Sequence, residues 1–255
     1  MELAALASGS SGNCFLVKNK DKAVLIDAGI STKMIIERLA ELNQKPEIIK
    51  GIFITHEHSD HTRGANVFSK IFSIPIFATK KTFRNMGLCS DYNRTITIKN
   101  DETIKIAGMT IGAFPKSHSA ADPVSYMIKT DKTAAIITDA GYACNNVIDN
   151  VRSSDFLFLE SNHDEIMLEN GPYPAFLKKW IRSDEGHMSN MQASLCVLEH
   201  ASSKLKNIVL SHLSKTNNTP KLAIETFKHL LKERKDLSTR INISERNKTT
   251  ELFRI

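Results

Sequence analysis

The segment Thr55-His56-Glu57-His58-Ser59-Asp60-His61 places three imidazoles and two carboxylates in seven residues, directly behind the apolar run Gly51-Ile52-Phe53-Ile54. The apolar run reads as a buried strand, and a titratable cluster at its end is costly unless something compensates for the charge. A metal ion is the natural compensator, because His-x-His-x-Asp-His offers nitrogen and oxygen donors at a spacing that one loop can deliver. In an extended segment His56 and His58 point to the same side. Asp60 and His61 turn with the backbone into a helix start and reach a second position beside the first. The pattern therefore predicts two metals, and about three further ligands downstream at strand ends.

Three positions meet that demand. His118 follows the strand Met109–Phe114, Asp139 follows Ala134–Thr138, and His212 follows Ile208–Ser211. Each is a ligand-type residue at the C-terminal end of an apolar strand, where sites of α/β proteins collect. The four cysteines, Cys14, Cys89, Cys144 and Cys196, are scattered and make no Cys-x-x-Cys pair. They read as buried thiols and argue against a thiolate zinc site or a disulfide framework.

Along the 255 residues short apolar strands alternate with helices, with no repeat, linker or low-complexity segment. Strands are expected at 2–7, 14–17, 23–26, 52–54, 74–78, 95–98, 102–106, 109–114, 125–129, 134–138, 156–160 and 207–211. Helices are expected from Ser31 or Thr32 to Leu42 and over 61–72, 174–182, 189–201 and 220–231. Strands and helices mixed throughout predict packed layers within a single domain spanning 1–255. No apolar run reaches membrane-spanning length, and the N-terminus lacks the basic character of a signal peptide, so cytoplasmic residence is the expectation. The net charge of +6 fits a polyanionic partner. Lys80-Lys81-Arg84 and Lys178-Lys179-Arg182 are the local basic clusters, each either a solvated helix face or a binding stripe.

In order along the chain, Asp27, the His56/His58/Asp60/His61 loop, His118, Asp139 and His212 resemble the motifs of the metallo-β-lactamase superfamily, and the resemblance spans essentially the whole sequence. It implies a four-layer αββα sandwich of mixed α/β class. It also implies that His56, His58 and His118 hold one divalent metal and Asp60, His61 and His212 a second, with Asp139 bridging. Asp27 would support the ligand loop without binding metal. Zn, Mn and Fe all suit such donors. The segments Leu6–Asn13, Glu160–Asp164 and Ser183–Asn190 are similar to the YycJ/WalJ group, described as 5′-to-3′ DNA exonucleases, and the surroundings of His187 resemble an element of tRNase Z. About seventy residues separate Asp139 from His212, too few for the extra domain of RNase J.

The resemblance implies phosphodiester hydrolysis by a metal-bridging hydroxide, with DNA as the substrate. His187 is the candidate for stabilising the phosphate or donating the leaving-group proton, with Asp60 sharing the proton work. The alternative for His187 is a capping role at the helix that follows, or simple surface exposure. His163 could line the cleft, contact a metal or orient His187. Ser10, Ser11 and Asn13, in the turn between the first two strands, are candidates for phosphate contact through backbone N–H groups, the alternative being a tight turn with no ligand. Arg63, Lys116 and Lys215 lie beside metal motifs and could meet the nucleic-acid backbone. The competing reading is a thioester or lactone hydrolase of the same fold, like glyoxalase II. A non-catalytic metal-binding protein is a third. The oligomeric state is left open.

Overall fold

The computed structural model describes residues 1–86 and 94–255, so Cys89 lies outside the described residues. The chain packs as two compact units. The first comprises Met1–Pro115, Ala120–Asp131 and Glu245–Ile255, and the second Lys116–Ser119 and Lys132–Ser244.

In the first unit β1 (Glu2–Ala7), β2 (Cys14–Asn19) and β3 (Lys22–Ile26) form an antiparallel meander. β4 (Ile49–Phe53), β5 (Ile76–Thr79) and β6 (Thr95–Ile98) add to it in parallel. Parallel neighbours need crossovers. α1 (Thr32–Glu41) links β3 to β4, α2 (Ser59–Thr62) and α3 (Ala65–Phe72) link β4 to β5, and α4 (Lys80–Met86) follows β5. The buried stripes of α1 and α3, through Ile35, Leu39 and Phe68, close over Leu6, Leu16, Leu25 and Ile52.

The single helix expected over 61–72 is two helices, interrupted at Arg63-Gly64. Gly64 N–H donates to Ala28 O at 2.7 Å, and a Cβ on Gly64 would sit 2.2 Å from Ile30 O. The break therefore locks the helix start against the end of β3.

β7 (Thr103–Ile106), β8 (Met109–Pro115) and β9 (Val124–Lys129) form an antiparallel meander in the same unit. Tyr126 on β9 stands edge-on to Phe53 at 5.5 Å, and Phe53 stacks on Phe77 at 4.3 Å. The Tyr126 hydroxyl donates to Ile54 O at 2.8 Å, which fixes the exit of β4 where the histidine loop begins.

The second unit is built on four parallel strands in the order β13-β12-β11-β10: β10 (Thr133–Ile137), β11 (Phe156–Glu160), β12 (Asn207–Ser211) and β13 (Arg240–Ile243). The run Phe-Leu-Phe-Leu-Glu of β11 is buried throughout, as befits an inner parallel strand covered on both faces. The connections carry α5 (Asn145–Ser153), α6 (Glu165–Asn170), α7 (Ala175–Ile181), α8 (Asn190–His200) and α9 (Pro220–Leu231). Ser189 closes a capping box with Gln192 at the start of α8, and Pro220 opens α9 behind the Thr219 cap.

The last strand, β14 (Phe253–Arg254), belongs to the first unit and pairs antiparallel with β1. The sequence reading did not anticipate α4, α5, α6, β13 or β14. The helices among them have nine residues or fewer, too short for a convincing period. β13 reads Arg-Ile-Asn-Ile and lacks a buried run. Cys14 and Cys196 are buried, and burial pushes the Cys196 thiol up to about 12. No helix among the described residues is long and apolar enough to cross a membrane.

Gly29 marks the tightest approach in the first unit, since a Cβ there would lie 1.6 Å from Asp60 O. Gly29→Ala should cost about 3 kcal/mol of stability. Gly112→Ala, whose Cβ would meet nothing closer than 3.5 Å, should be nearly neutral. Thermal unfolding of the two variants checks this, and equal melting temperatures would contradict it.

Candidate metal centre

The histidine loop of the first unit hangs from Asp27. This residue follows β3 with a left-handed φ of 59° and is fully buried. Its Oδ1 accepts from the Thr55 amide at 2.8 Å, and its Oδ2 accepts from Thr55 Oγ1 at 2.9 Å and lies 2.7 Å from His61 Nδ1. A proton on Nδ1 donated to that carboxylate puts the ring's lone pair on His61 Nε2, the usual arrangement behind a metal-binding imidazole.

His56 Nε2 and His58 Nδ1 lie 3.0 Å apart, and the His56 and His61 rings are 4.1 Å apart at their centroids. Two nitrogens on one tetrahedral ion at 2.0–2.1 Å stand about 3.4 Å apart, so the spacing suits a cation. Asp60 Oδ2 is 3.5 Å from His61 Nε2. The structure thus gathers His56, His58, Asp60 and His61, with Asp27 beneath them. Asn13 is buried in the same set. Its Nδ2 lies 3.1 Å from His61 Nε2 and 3.5 Å from Asp60 Oδ2, and its Oδ1 accepts from Gly9 N–H.

The turn that holds Ser10 and Ser11 is exposed. Arg246 Nη1 donates to Ser10 Oγ at 3.1 Å, and Arg63 Nη1 donates to Ser11 O at 3.3 Å. Two guanidinium groups thus meet on this turn, and Arg246 comes from a segment to which the sequence reading gave no role.

The second unit builds a denser cluster from three adjacent strand ends. Asp139 follows β10 and His212 follows β12, both left-handed, with φ of 53° and 55°. Between them Glu160 is the last residue of β11 and has no solvent exposure. Glu160 Oε1 lies 2.8 Å from His187 Nδ1 and 3.2 Å from His212 Nδ1, and its Oε2 accepts from the Ala140 amide at 2.7 Å. Asp139 Oδ1 is 3.0 Å from His212 Nδ1. One donor atom from each of Asp139, Glu160, His187 and His212 lies within 4.8 Å of all the others, close enough for a shared ion.

Glu160 received no role from the sequence. The signal was the acidic residue that closes the apolar run Phe156–Leu159 from inside the strand. His187 reaches the cluster through a loop held by glycine. Gly186 could carry no Cβ, which would sit 2.2 Å from Ile181 O, and His187 N–H donates to Ile181 O.

The electrostatics favour a cation. Burial alone would raise the Glu160 carboxyl, but the His187 and His212 imidazoles outweigh it and bring it down to about 2. Burial would lower His212, but Asp139 and Glu160 overcome it and lift the imidazole to about 10. Two buried carboxylates thus demand positive charge, which the His212 proton supplies and which a metal would displace. Burial holds His118 down to about 4. Its Nδ1 lies 3.2 Å from Gly186 O, which leaves Nε2 as a neutral donor 3.9 Å from Asp139 Oδ1.

Lys116 and His163 sit differently. Lys116 is buried, and its ammonium donates to Thr138 O. His163 stands outside the four-residue group. It lines a cavity of about 370 Å³ with Glu165, Arg182 and Gln192, and its buried Nδ1 has no hydrogen-bond partner among the described residues. Burial lowers it to about 4.

Residues 7–120 match the sequence model of the metallo-beta-lactamase superfamily. The chain is 37% identical to exodeoxyribonuclease WalJ of Streptococcus pneumoniae (strain ATCC BAA-255 / R6) over 228 residues, which is 87% of this chain and 85% of the relative. It is 34% identical to exodeoxyribonuclease YycJ of Bacillus anthracis over 242 residues, 92% of this chain and 90% of the relative. Among solved structures, the metallo-beta-lactamase fold protein YhfI from Bacillus subtilis superposes with a TM-score of 0.74 at 15% identity, covering 98% of this chain and 99% of its own. The mixed α/β class and the metallo-β-lactamase fold expected from the sequence are met.

Glu160 also sets a pH dependence. Its folded pKa of about 2 lies below the ordinary 4.5. The stability it contributes is therefore full above about pH 4.5 and fades as pH falls towards 2. In chelator-treated protein, Glu160→Gln should cost about 3–5 kcal/mol near neutral pH, the scale of a broken buried pair. The gap from wild type should narrow across that acid window. Urea unfolding at a series of pH values measures it, and a pH-independent gap would count against the assignment.

Proposed function

Because the chain belongs to the WalJ/YycJ exodeoxyribonuclease group of the metallo-β-lactamase superfamily, we propose that it is a metal-dependent phosphodiesterase that degrades DNA from the 5′ end. The observation that carries this reading is the Asp139-Glu160-His187-His212 cluster, held in a chain so similar to named exodeoxyribonucleases. In this reading 1–255 works as one catalytic domain. His56, His58 and His118 would hold one divalent ion and Asp60, His61 and His212 a second, with Asp139 shared between them. Imidazole and carboxylate donors suit Zn, Mn or Fe. When bound, such ions neutralise charge on the phosphate and acidify the attacking water.

The protein's own residues do the rest. Asp27 and Glu160 turn imidazoles by their Nδ1 atoms, so that the opposite ring nitrogens face the reaction. His187, held in this way, presents Nε2 to a phosphate oxygen or to the departing oxygen and hands over a proton there. Asp60 takes part in that proton traffic, and His163 acts from the neighbouring cavity. Ser10, Ser11 and Arg63 are the proposed contacts for the phosphodiester backbone, with Arg246 beside them; Asn13 and Lys116, expected in the same role, are buried and hold Gly9 and Thr138 instead. The net charge of +6 supports a polyanionic substrate. Absence of a membrane-crossing helix among the described residues is compatible with the cytoplasmic residence we propose.

The test is degradation of end-labelled single- and double-stranded DNA and RNA by chelator-treated protein, with Zn or Mn added back. DNA should be shortened from its 5′ end only after metal addition. Asp139→Ala should lower kcat/KM by about 10²-fold or more. Intact nucleic acid alongside hydrolysis of a small thioester would replace this reading with a glyoxalase II-like one.

A further inference from the structure

α7 has the sequence Ala-Phe-Leu-Lys-Lys-Trp-Ile and carries its hydrophobic residues on two faces. Ile181 is buried and Leu177 partly so, and these anchor the helix. Phe176 and Trp180 lie on an adjoining face, 76% and 36% exposed. Four residues apart, they are neighbours on the helix surface, about 6 Å apart along its axis. At 76% exposure most of the Phe176 ring is open to water.

The pair has a fixed relation to the cluster in the same unit. Trp180 stands edge-on to His187, with ring centroids 5.6 Å apart at 83°, and lies 6.4 Å from the His118 ring. The His187 amide bonded to Ile181 O, and Gly186 pressed on the carbonyls of Trp180 and Ile181, tie the end of α7 to that histidine. α7 is also held to α6: the Lys178 ammonium donates to Glu169 O, and Arg182 pairs with the Glu169 carboxylate. Lys179 is exposed between the two aromatic rings in sequence.

Exposed aromatic rings beside the exposed Lys179 fit one occupant best. Unpaired nucleobases stack on aromatic side chains while cations follow the backbone. A protein partner is a poorer match, since lysine is depleted where such interfaces are driest. A second copy of this helix would bring like charges together.

We propose that the exposed face of α7 is a stacking platform for unpaired nucleobases at the end of the nucleic acid. Trp180 seats the base next to His187, and Phe176 seats the base one step further out. Lys179 meets the intervening phosphate. The assignment rests on the nucleic-acid reading above for the identity of the polymer. It adds that the strand end is held single-stranded as it enters the site.

Trp180 is the only tryptophan of the chain, so its emission reports on this position alone. The full-length protein is titrated with a short single-stranded phosphorothioate oligothymidylate, which resists cleavage, and with a blunt duplex of equal length. Anisotropy of a label on the DNA follows total binding in parallel. Single-stranded DNA should quench Trp180 saturably, and the blunt duplex should quench it less. Phe176→Ala and Phe176→Leu should each raise Kd about tenfold, with Phe176→Tyr restoring it. Circular dichroism melts confirm that these variants are folded, and the leucine variant separates stacking from simple apolar bulk.

DNA that binds while Trp180 emission stays unchanged, or a Phe176→Leu variant that binds like wild type, overturns the platform. So does a sedimentation shift to dimer that accounts for the Trp180 signal without DNA. Quenching without any hydrolysis of normal DNA leaves the platform standing and removes the nuclease reading. Hydrolysis with a silent Trp180 does the reverse.

Discussion

Two buried carboxylates organise the chemistry of this chain, one in each unit. Asp27 and Glu160 have no access to water, and each would be prohibitively costly without partners. Each recruits them in the same way, from backbone amides and from the Nδ1 side of imidazoles. Asp27 gathers the Thr55 amide, the Thr55 hydroxyl and His61. Glu160 gathers the Ala140 and Met188 amides, His187 and His212. The loops that carry donor residues are thus positioned by the need to satisfy a carboxylate, before any metal is considered.

The backbone concedes something at the same places. Asp27, Asp139 and His212 each follow a strand and each adopt a left-handed conformation that non-glycine residues avoid. Such strain persists where the surroundings over-determine it, typically at functional sites. The surroundings here are close backbone approaches that glycine alone permits. Gly29 lies against Asp60, and Gly141 lies against Asp184, where a Cβ would be 1.8 Å from the carbonyl oxygen. Donor geometry in both units depends as much on these contacts as on the donors.

Much of this was legible in the sequence, and the reasons are physical. The strands β1 to β4 and β10 to β12 are short apolar runs because they are buried, and their ends can be read from where the apolar runs stop. His56, His58, Asp60, His61, Asp139 and His212 stand just beyond such ends. Glu160 escaped because it is still inside its strand, and alternation alone does not say which way a terminal side chain turns. The break at Gly64 and the reach of Arg246 to Ser10 also escaped, since both depend on partners distant in the sequence. Lys116, read as a contact for the nucleic-acid backbone, is buried on a carbonyl. α4, α5 and α6 were too short to show a period.

The strand β14 gives the first unit an unusual order of assembly. β1 is an apolar strand, and one of its two neighbours comes from the last residues of the sequence. Thr250 exchanges hydrogen bonds with Ala5, and the Met1 ammonium donates to Ile255 O at 3.0 Å. During synthesis the flank of β1 therefore stays open while about 240 residues are added. An unpaired apolar edge is the kind of surface that invites association with other chains. Residues 245–255 act as a late closure, and a nascent chain stalled before them would present that bare edge to chaperones or to its own copies.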